Sequence, residues 1–247
     1  MRYLVLSDVH ANFDALEVVL RKVRRKRFDA VLMLGDVVGY GAAPNQVVEA
    51  LRGVRTPMLR IRGNHDKVAS GVEDGASFNH VALEAARWTR DKLTPANLRW
   101  VYELPRGPVV VADGLAICHG SPLDEDTYVF SDFEAFQIFS AHRPQVTFFG
   151  HTHIASLFVE TPGGLQVAPL RGEEGEIEIE AGCRYLINPG SIGQPRDRDP
   201  RASYMTYDSD RKLVRWYRLE YPVEKAQERI YEAGLPEVLA ERLAVGA

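Results

Sequence analysis

The stretch Tyr3-Leu4-Val5-Leu6-Ser7-Asp8-Val9-His10 opens with an unbroken apolar run and stops on an acid followed by a histidine. A short run with no polar alternation predicts a strand at residues 3–7 buried on both faces, as strands of a parallel sheet are. Asn12 is placed to cap the next segment, in which Phe13, Leu16, Val19, Leu20 and Val23 recur at helical spacing before the basic stretch 24–27. The same unit then repeats. Residues 30–34 form a second buried run ending on Gly35-Asp36, residues 44–51 a second helix, and residues 58–61 a third strand ending at Gly63-Asn64-His65-Asp66. This β-α-β-α-β order predicts a parallel sheet with crossover helices.

Further along, apolar spacing predicts a long helix over 77–93, and Thr94-Pro95 reads as the N-cap and first residue of a shorter one reaching 104. Residues 109–112 and 115–118 flank Asp113-Gly114, a two-residue hairpin signal. A helix at 132–141 and a buried strand at 146–149 follow. Strands are then predicted at 157–160, 165–168, 176–180, 185–188, 203–207 and 214–219, and helices at 222–233 and 236–244. No low-complexity linker or internal repeat divides the 247 residues. One domain with two sheets is expected over 1–247, with the helices of 220–247 packed upon it.

Composition sets the outer limits. Hydrophobic residues make up 45% and charged residues 26% of the chain, which excludes disordered, collagen-like and disulfide-scaffold classes. The net charge of -4 argues against a nucleic-acid polymer as partner. No stretch approaches a membrane span, and the first apolar run is too short for a signal peptide, so a cytoplasmic protein is expected. Cys118 and Cys183 lack metal-type spacing and read as reduced structural residues.

Five of the seven histidines fall in Asp8-Val9-His10, Asn64-His65-Asp66, His119-Gly120 and His151-Thr152-His153, and Gly35-Asp36 adds an acid. A single acid or histidine at a strand end is usually a cap or a structural hydrogen-bonding group. Five such clusters, each directly after a strand, instead converge on one sheet edge, where open α/β proteins bind ligands. With the two members of Asp-x-His and of His-x-His each expected on one face of an extended segment, the donor set is Asp8, His10, Asp36, Asn64, His119, His151 and His153. Seven nitrogen and oxygen donors exceed one structural zinc site and suit two divalent transition-metal ions: manganese, iron, zinc, cobalt or nickel. With a bridging hydroxide such a centre carries about +1, which fits a phosphoryl group.

In order, Asp-x-His, Gly-Asp, Gly-Asn-His-Asp, a lone His and Gly-His-x-His make the chain resemble the calcineurin-like metallophosphoesterase superfamily from residue 3 to about 219. The resemblance implies an α/β fold, a four-layer αββα sandwich of two mixed sheets flanked by helices, with a dinuclear metal site at one end. It implies Asp8, His10, Asp36 and His153 on one ion, and Asp36, Asn64, His119 and His151 on the other, with Asp36 shared. The block Asn188-Pro189-Gly190-Ser191 looks like that of the small bacterial and archaeal phosphodiesterase branch. Ser/Thr protein phosphatases and symmetrical diadenosine tetraphosphatases carry a phosphate-gripping Asp-Arg pair where Gly39 and Tyr40 stand here. Ala11 replaces a glycine common among relatives.

The expected activity is hydrolysis of small phosphoesters, foremost phosphodiesters, by a hydroxide bridging two metal ions. His65 is the candidate proton donor to the leaving oxygen, with Asp66 orienting it or capping the turn. Asn12, Tyr40, Asn79, His80 and Arg196 are candidates for the pocket wall, against capping, packing or solvated roles. A catalytically weak protein-binding scaffold of the same fold is the alternative. The intact donor set favours an enzyme, and a nuclease lacks a basic groove.

Overall fold

A computed structural model describes residues 1–247. The first sheet has the strand order β3-β2-β1-β11-β12-β9 and the second β4-β5-β6-β10-β7-β8. Here β1 is Arg2–Leu6, β2 Ala30–Met33, β3 Met58–Arg60, β4 Val109–Ala112, β5 Leu115–Ile117 and β6 Val146–Phe148. The remaining strands are β7 Ser156–Thr161, β8 Gly164–Pro169, β9 Glu174–Glu178, β10 Arg184–Asn188, β11 Ala202–Asp208 and β12 Leu213–Leu219. Strands β1, β2 and β3 run parallel, while β11, β12 and β9 extend the sheet antiparallel. In the second sheet β5, β6 and β10 run parallel, with hairpin partners at both edges.

The absence of alternation in the first strands has a direct cause. Tyr3 and Val5 of β1 and Ala30 and Leu32 of β2 face the second sheet, meeting Ile117, Phe148 and Ile187. Leu4, Leu6, Val31 and Met33 point the other way, onto Leu16 and Val19 of α1 (Phe13–Val23) and Val48 of α2 (Pro44–Arg52). Each such side chain contributes about 1.5–3 kcal/mol by leaving water. A third core joins Cys118, Phe149 and Leu186 of the second sheet to Ala135, Ile138 and Phe139 of α6 (Asp132–Ala141). Helices, sheet, sheet and helix thus form the expected αββα sandwich. The last helices, α7 (Val223–Glu232) and α8 (Val238–Val245), put Ile230, Leu239 and Leu243 into the same core as α1. No helix is long and apolar enough to cross a membrane.

Several boundaries differ from expectation. Residues 64–70, where the sequence analysis assigns no element, form a short helix, α3 (Asn64–Ser70). Its seven residues carry no periodic apolar stripe, and its N-cap, Gly63, offers no side chain as a signal. The long helix α4 (His80–Lys92) begins at His80, not 77, because Asn79 caps it by accepting from Ala82 N at 2.9 Å. Strand β9 lies two residues earlier than its apolar pattern indicates. Thr94 caps α5 (Pro95–Tyr102), as its sequence suggests.

Candidate metal centre

The C-terminal ends of the parallel strands deliver the donors: Asp8 follows β1, Asp36 β2, Asn64 β3, His119 β5, and His151 and His153 β6. The structure brings all seven sequence-derived donors together. The local backbone, however, is not the extended chain expected for Asp-x-His and His-x-His. Asp8, His10, Ala11, Asp36, Tyr40, His151 and His153 all have φ between 47° and 67°. Non-glycine residues in this left-handed region are strained, typically by about 1–3 kcal/mol each, and such strain gathers at functional sites. The φ of Ala11 also shows why a glycine suits that position. Gly63 answers a different need: a Cβ there would lie 2.1 Å from Asp36 Oδ1, so Gly63→Ala is expected to displace Asp36 and lower metal affinity, measurable by metal titration.

Two groups of donor atoms form, one of Asp8, His10, Asp36 and His153 and the other of Asp36, His119 and His151. Within each, the donor atoms lie within 4.8 Å of one another. Asp36 belongs to both, its Oδ2 being 3.4 Å from His10 Nε2 and 3.5 Å from His119 Nε2. Asn64 Oδ1 joins the second group, 3.2 Å from His119 Nε2.

The far side of the rings decides what the near side offers. His119 Nδ1 donates to Leu34 O at 2.9 Å and His153 Nδ1 to Gln194 O at 2.6 Å, leaving a lone pair on each Nε2 of the neutral ring. His151 Nε2 donates to Asp126 O at 3.0 Å, which leaves its lone pair on Nδ1. The lone pair of His119 therefore faces oxygens of Asp36 and Asn64. That of His153 faces His10 Nε2 at 3.0 Å, and Asp36 Oδ2 is buried without a hydrogen-bond partner. Electron pairs converging on two points repel unless protons or cations lie between them. The donor set therefore fits divalent metal ions.

Titration behaviour reflects the same crowding. A proton can take a cation's place between His119 and Asp36: burial disfavours charge on His119, but Asp36 and then Asp8 outweigh it and push the group up to about 10. Burial, followed by the charge of Asp36, raises Asp8 to about 7, whereas His119, His65 and His10 overcome burial and hold Asp36 well below the usual carboxylate range. Burial first, then the charge of His119, drops His151 to about 3.

His65 stands among the rings of Tyr40, Phe78 and His10, at centroid distances of 4.2, 4.7 and 4.9 Å. Burial lowers it to about 4, and its buried Nδ1 has no partner. Of the two roles read for Asp66, orienting His65 or capping the turn, the structure shows the cap. Asp66 Oδ2 accepts from Gly63 N at 3.0 Å, the one half of a capping box that a glycine N-cap allows, and its Oδ1 accepts from Val38 N at 3.1 Å. Its place at the third helical position explains this: the carboxylate reaches back to unpaired helix-start donors rather than to its neighbour's ring. Asn12 caps α1 and donates to Gly193 O and Tyr221 Oη, so its amide is engaged away from the cleft, while Asn79 is exposed and its Oδ1 caps α4. His80 is solvent-exposed, while Tyr40 packs on His10.

Some supporting roles were not legible in the sequence. Asn188 Nδ2 donates to Gly150 O and Thr152 Oγ1, and Ser191 Oγ to Asp8 O, so the late Asn-Pro-Gly-Ser block holds the backbone of two donor turns. Tyr128 stacks on His151 at 3.8 Å and on exposed Phe130 at 5.1 Å. Arg218, buried on β12, pairs with Asp197 and donates to Leu170 O, anchoring the loop that supplies Gln194. Removing one member of a buried pair costs about 3–5 kcal/mol, so Arg218→Leu is expected to lower the denaturant midpoint by a corresponding amount.

Residues 1–212 match the family model for the calcineurin-like phosphoesterase superfamily domain. The chain belongs to this superfamily. A metallophosphoesterase from Sphaerobacter thermophilus, 37% identical, superposes with a TM-score of 0.86 over 100% of this chain and 99% of its own. An uncharacterized protein of Methanocaldococcus jannaschii is 35% identical over 249 residues, spanning 98% of this chain and 97% of that protein. A hypothetical protein from Pyrococcus horikoshii, 21% identical, shares the fold with a TM-score of 0.81 over 100% and 98% of the two chains. Membership of the superfamily makes this a metal-dependent phosphoesterase fold with donor groups able to bind metal.

Proposed function

We propose that the protein hydrolyses small phosphoesters, foremost phosphodiesters, at a centre of two divalent transition-metal ions, and that residues 1–247 act as one domain. Asp8, His10, Asp36 and His153 would hold one ion, and Asp36, Asn64, His119 and His151 the other. Two such ions supply activated water and take up charge developing on the phosphoryl oxygens. The observation that carries this reading is the sharing of Asp36 by two groups whose lone pairs converge. The carbonyls of Leu34, Asp126 and Gln194 keep the rings of His119, His151 and His153 oriented for binding. The deciding experiment is hydrolysis of mono- and diesters across manganese, nickel, cobalt, zinc, iron and magnesium, with metal stoichiometry measured alongside. Absence of turnover with any metal, at two ions per chain, would refute it.

His65 is the proposed donor to the leaving oxygen. Since burial keeps the ring neutral at pH 7, it would act through an N–H rather than as an imidazolium. His65→Ala is expected to lower turnover by about 10²-fold or more for poor alkoxide leaving groups and much less for nitrophenolate, with metal content retained. Equal losses for both substrates would remove His65 from that role.

A further inference from the structure

Arg196 lies on the loop after β10 and makes no ion pair with any carboxylate of the chain. Its Nη2 donates only to neutral oxygens, Tyr40 Oη at 3.3 Å and Gln194 Oε1 at 3.0 Å. Its Nε is buried without a partner. The neighbouring acids are engaged elsewhere, Asp197 with Arg218 and Asp199 with Arg201. The guanidinium carbon is 5.7 Å from the centroid of the Tyr40 ring, and that ring packs between His10 and His65 at the donor cluster. Tyr40 is held at φ 59° between Gly39 and Gly41, a strained backbone for an aromatic residue. A Cβ on Gly39 would meet His65 Nδ1 at 2.6 Å, so the segment is shaped to lay Tyr40 against these rings.

A half-buried arginine with a structural task normally meets a carboxylate or several carbonyls, because a desolvated charge without them is costly. Here the guanidinium meets only a phenol and an amide oxygen beside the donor cluster, and the missing element is an anion. We infer that Arg196 is a substrate-binding residue whose guanidinium takes an oxygen of the phosphoryl group. This rests on the phosphoesterase reading given above. Tyr40 and Gln194 act as positioning residues that hold the fork toward the centre, where its N–H groups match phosphate oxygens.

The test is equilibrium binding of inorganic phosphate to the metal-loaded protein, followed calorimetrically at fixed ionic strength, with metal content assayed on the same samples. Arg196→Gln is expected to weaken phosphate binding by about tenfold or more, and Arg196→Lys by less, with metal content unchanged. Added guanidinium ion is expected to restore part of the turnover of Arg196→Ala. Arg196 also donates its backbone N–H to His153 O at 3.1 Å, so a support role must be separable. Phosphate affinity equal to wild type in Arg196→Gln overturns the inference. So does a weakening that only follows loss of metal in both the Gln and Lys variants. A wild type that binds phosphate through Arg196 but cleaves no ester would sink the phosphoesterase reading and leave the subsite standing. An active wild type with an indifferent Arg196→Gln would do the reverse.

Discussion

Asp36→Asn is expected to abolish nearly all phosphoesterase turnover and to weaken both metal sites together, while the protein stays folded. The side chain occupies the junction of the two donor groups, with Oδ2 facing His10 and His119 and Oδ1 accepting from His65 N at 2.9 Å. An asparagine keeps the shape and can still accept from His65 N, so the start of α3 is retained. It removes the one negative charge common to both groups and offers a neutral amide among converging imidazole lone pairs. Loss of an outer partner of a metal ligand already costs about 10–100-fold in affinity, and loss of a shared ligand is expected to exceed that at each position. Metal titration of the purified variant, with thermal unfolding as control, separates the possibilities. Two tightly bound ions and normal turnover in Asp36→Asn would refute the shared-ligand arrangement.

The sequence announced the donors because their chemistry is local: an apolar run stopped by an acid or histidine is visible in eight residues. The sandwich was legible for the same reason, since β1 and β2 bury both faces and must read as unbroken apolar runs. What stayed hidden depends on contacts across the chain. The left-handed turns at Asp8, His10, His151 and His153 oppose the intrinsic preference of these residues and are stabilised by partners far away, among them Ser191 and Asn188. Nothing near Arg196 in sequence reveals that it meets Tyr40, 156 positions earlier, and nothing near Tyr128 reveals its stack on His151. At Asp66 the sequence left two readings open, and contacts across the chain decide between them. Beside a histidine it looks like an orienting acid, yet the helix that begins at Asn64 turns its carboxylate back onto Gly63 and Val38.

His151 and His153 make the sharpest test of how the proposed centre is divided, because only Thr152 separates them. Both residues have the same left-handed backbone, with φ of 67° and 59°. The carbonyl behind each ring differs in which nitrogen it engages: Asp126 O takes the Nε2 proton of His151, and Gln194 O the Nδ1 proton of His153. His151 thus presents the nitrogen nearer its backbone and His153 the one farther out. The rings accordingly join different partners, His151 lying 4.8 Å from the ring of His119, and His153 Nε2 lying 3.4 Å from Asp8 Oδ1. Each alanine variant should therefore lose one ion preferentially, since the other position keeps its own donors and Asp36. About one tightly bound metal per chain is expected in His151→Ala and in His153→Ala, and almost none in the double variant. Anomalous scattering from crystals of the two single variants would show opposite positions emptied. If both variants empty the same position, or neither changes occupancy, the partition fails, whatever the activity of the protein turns out to be.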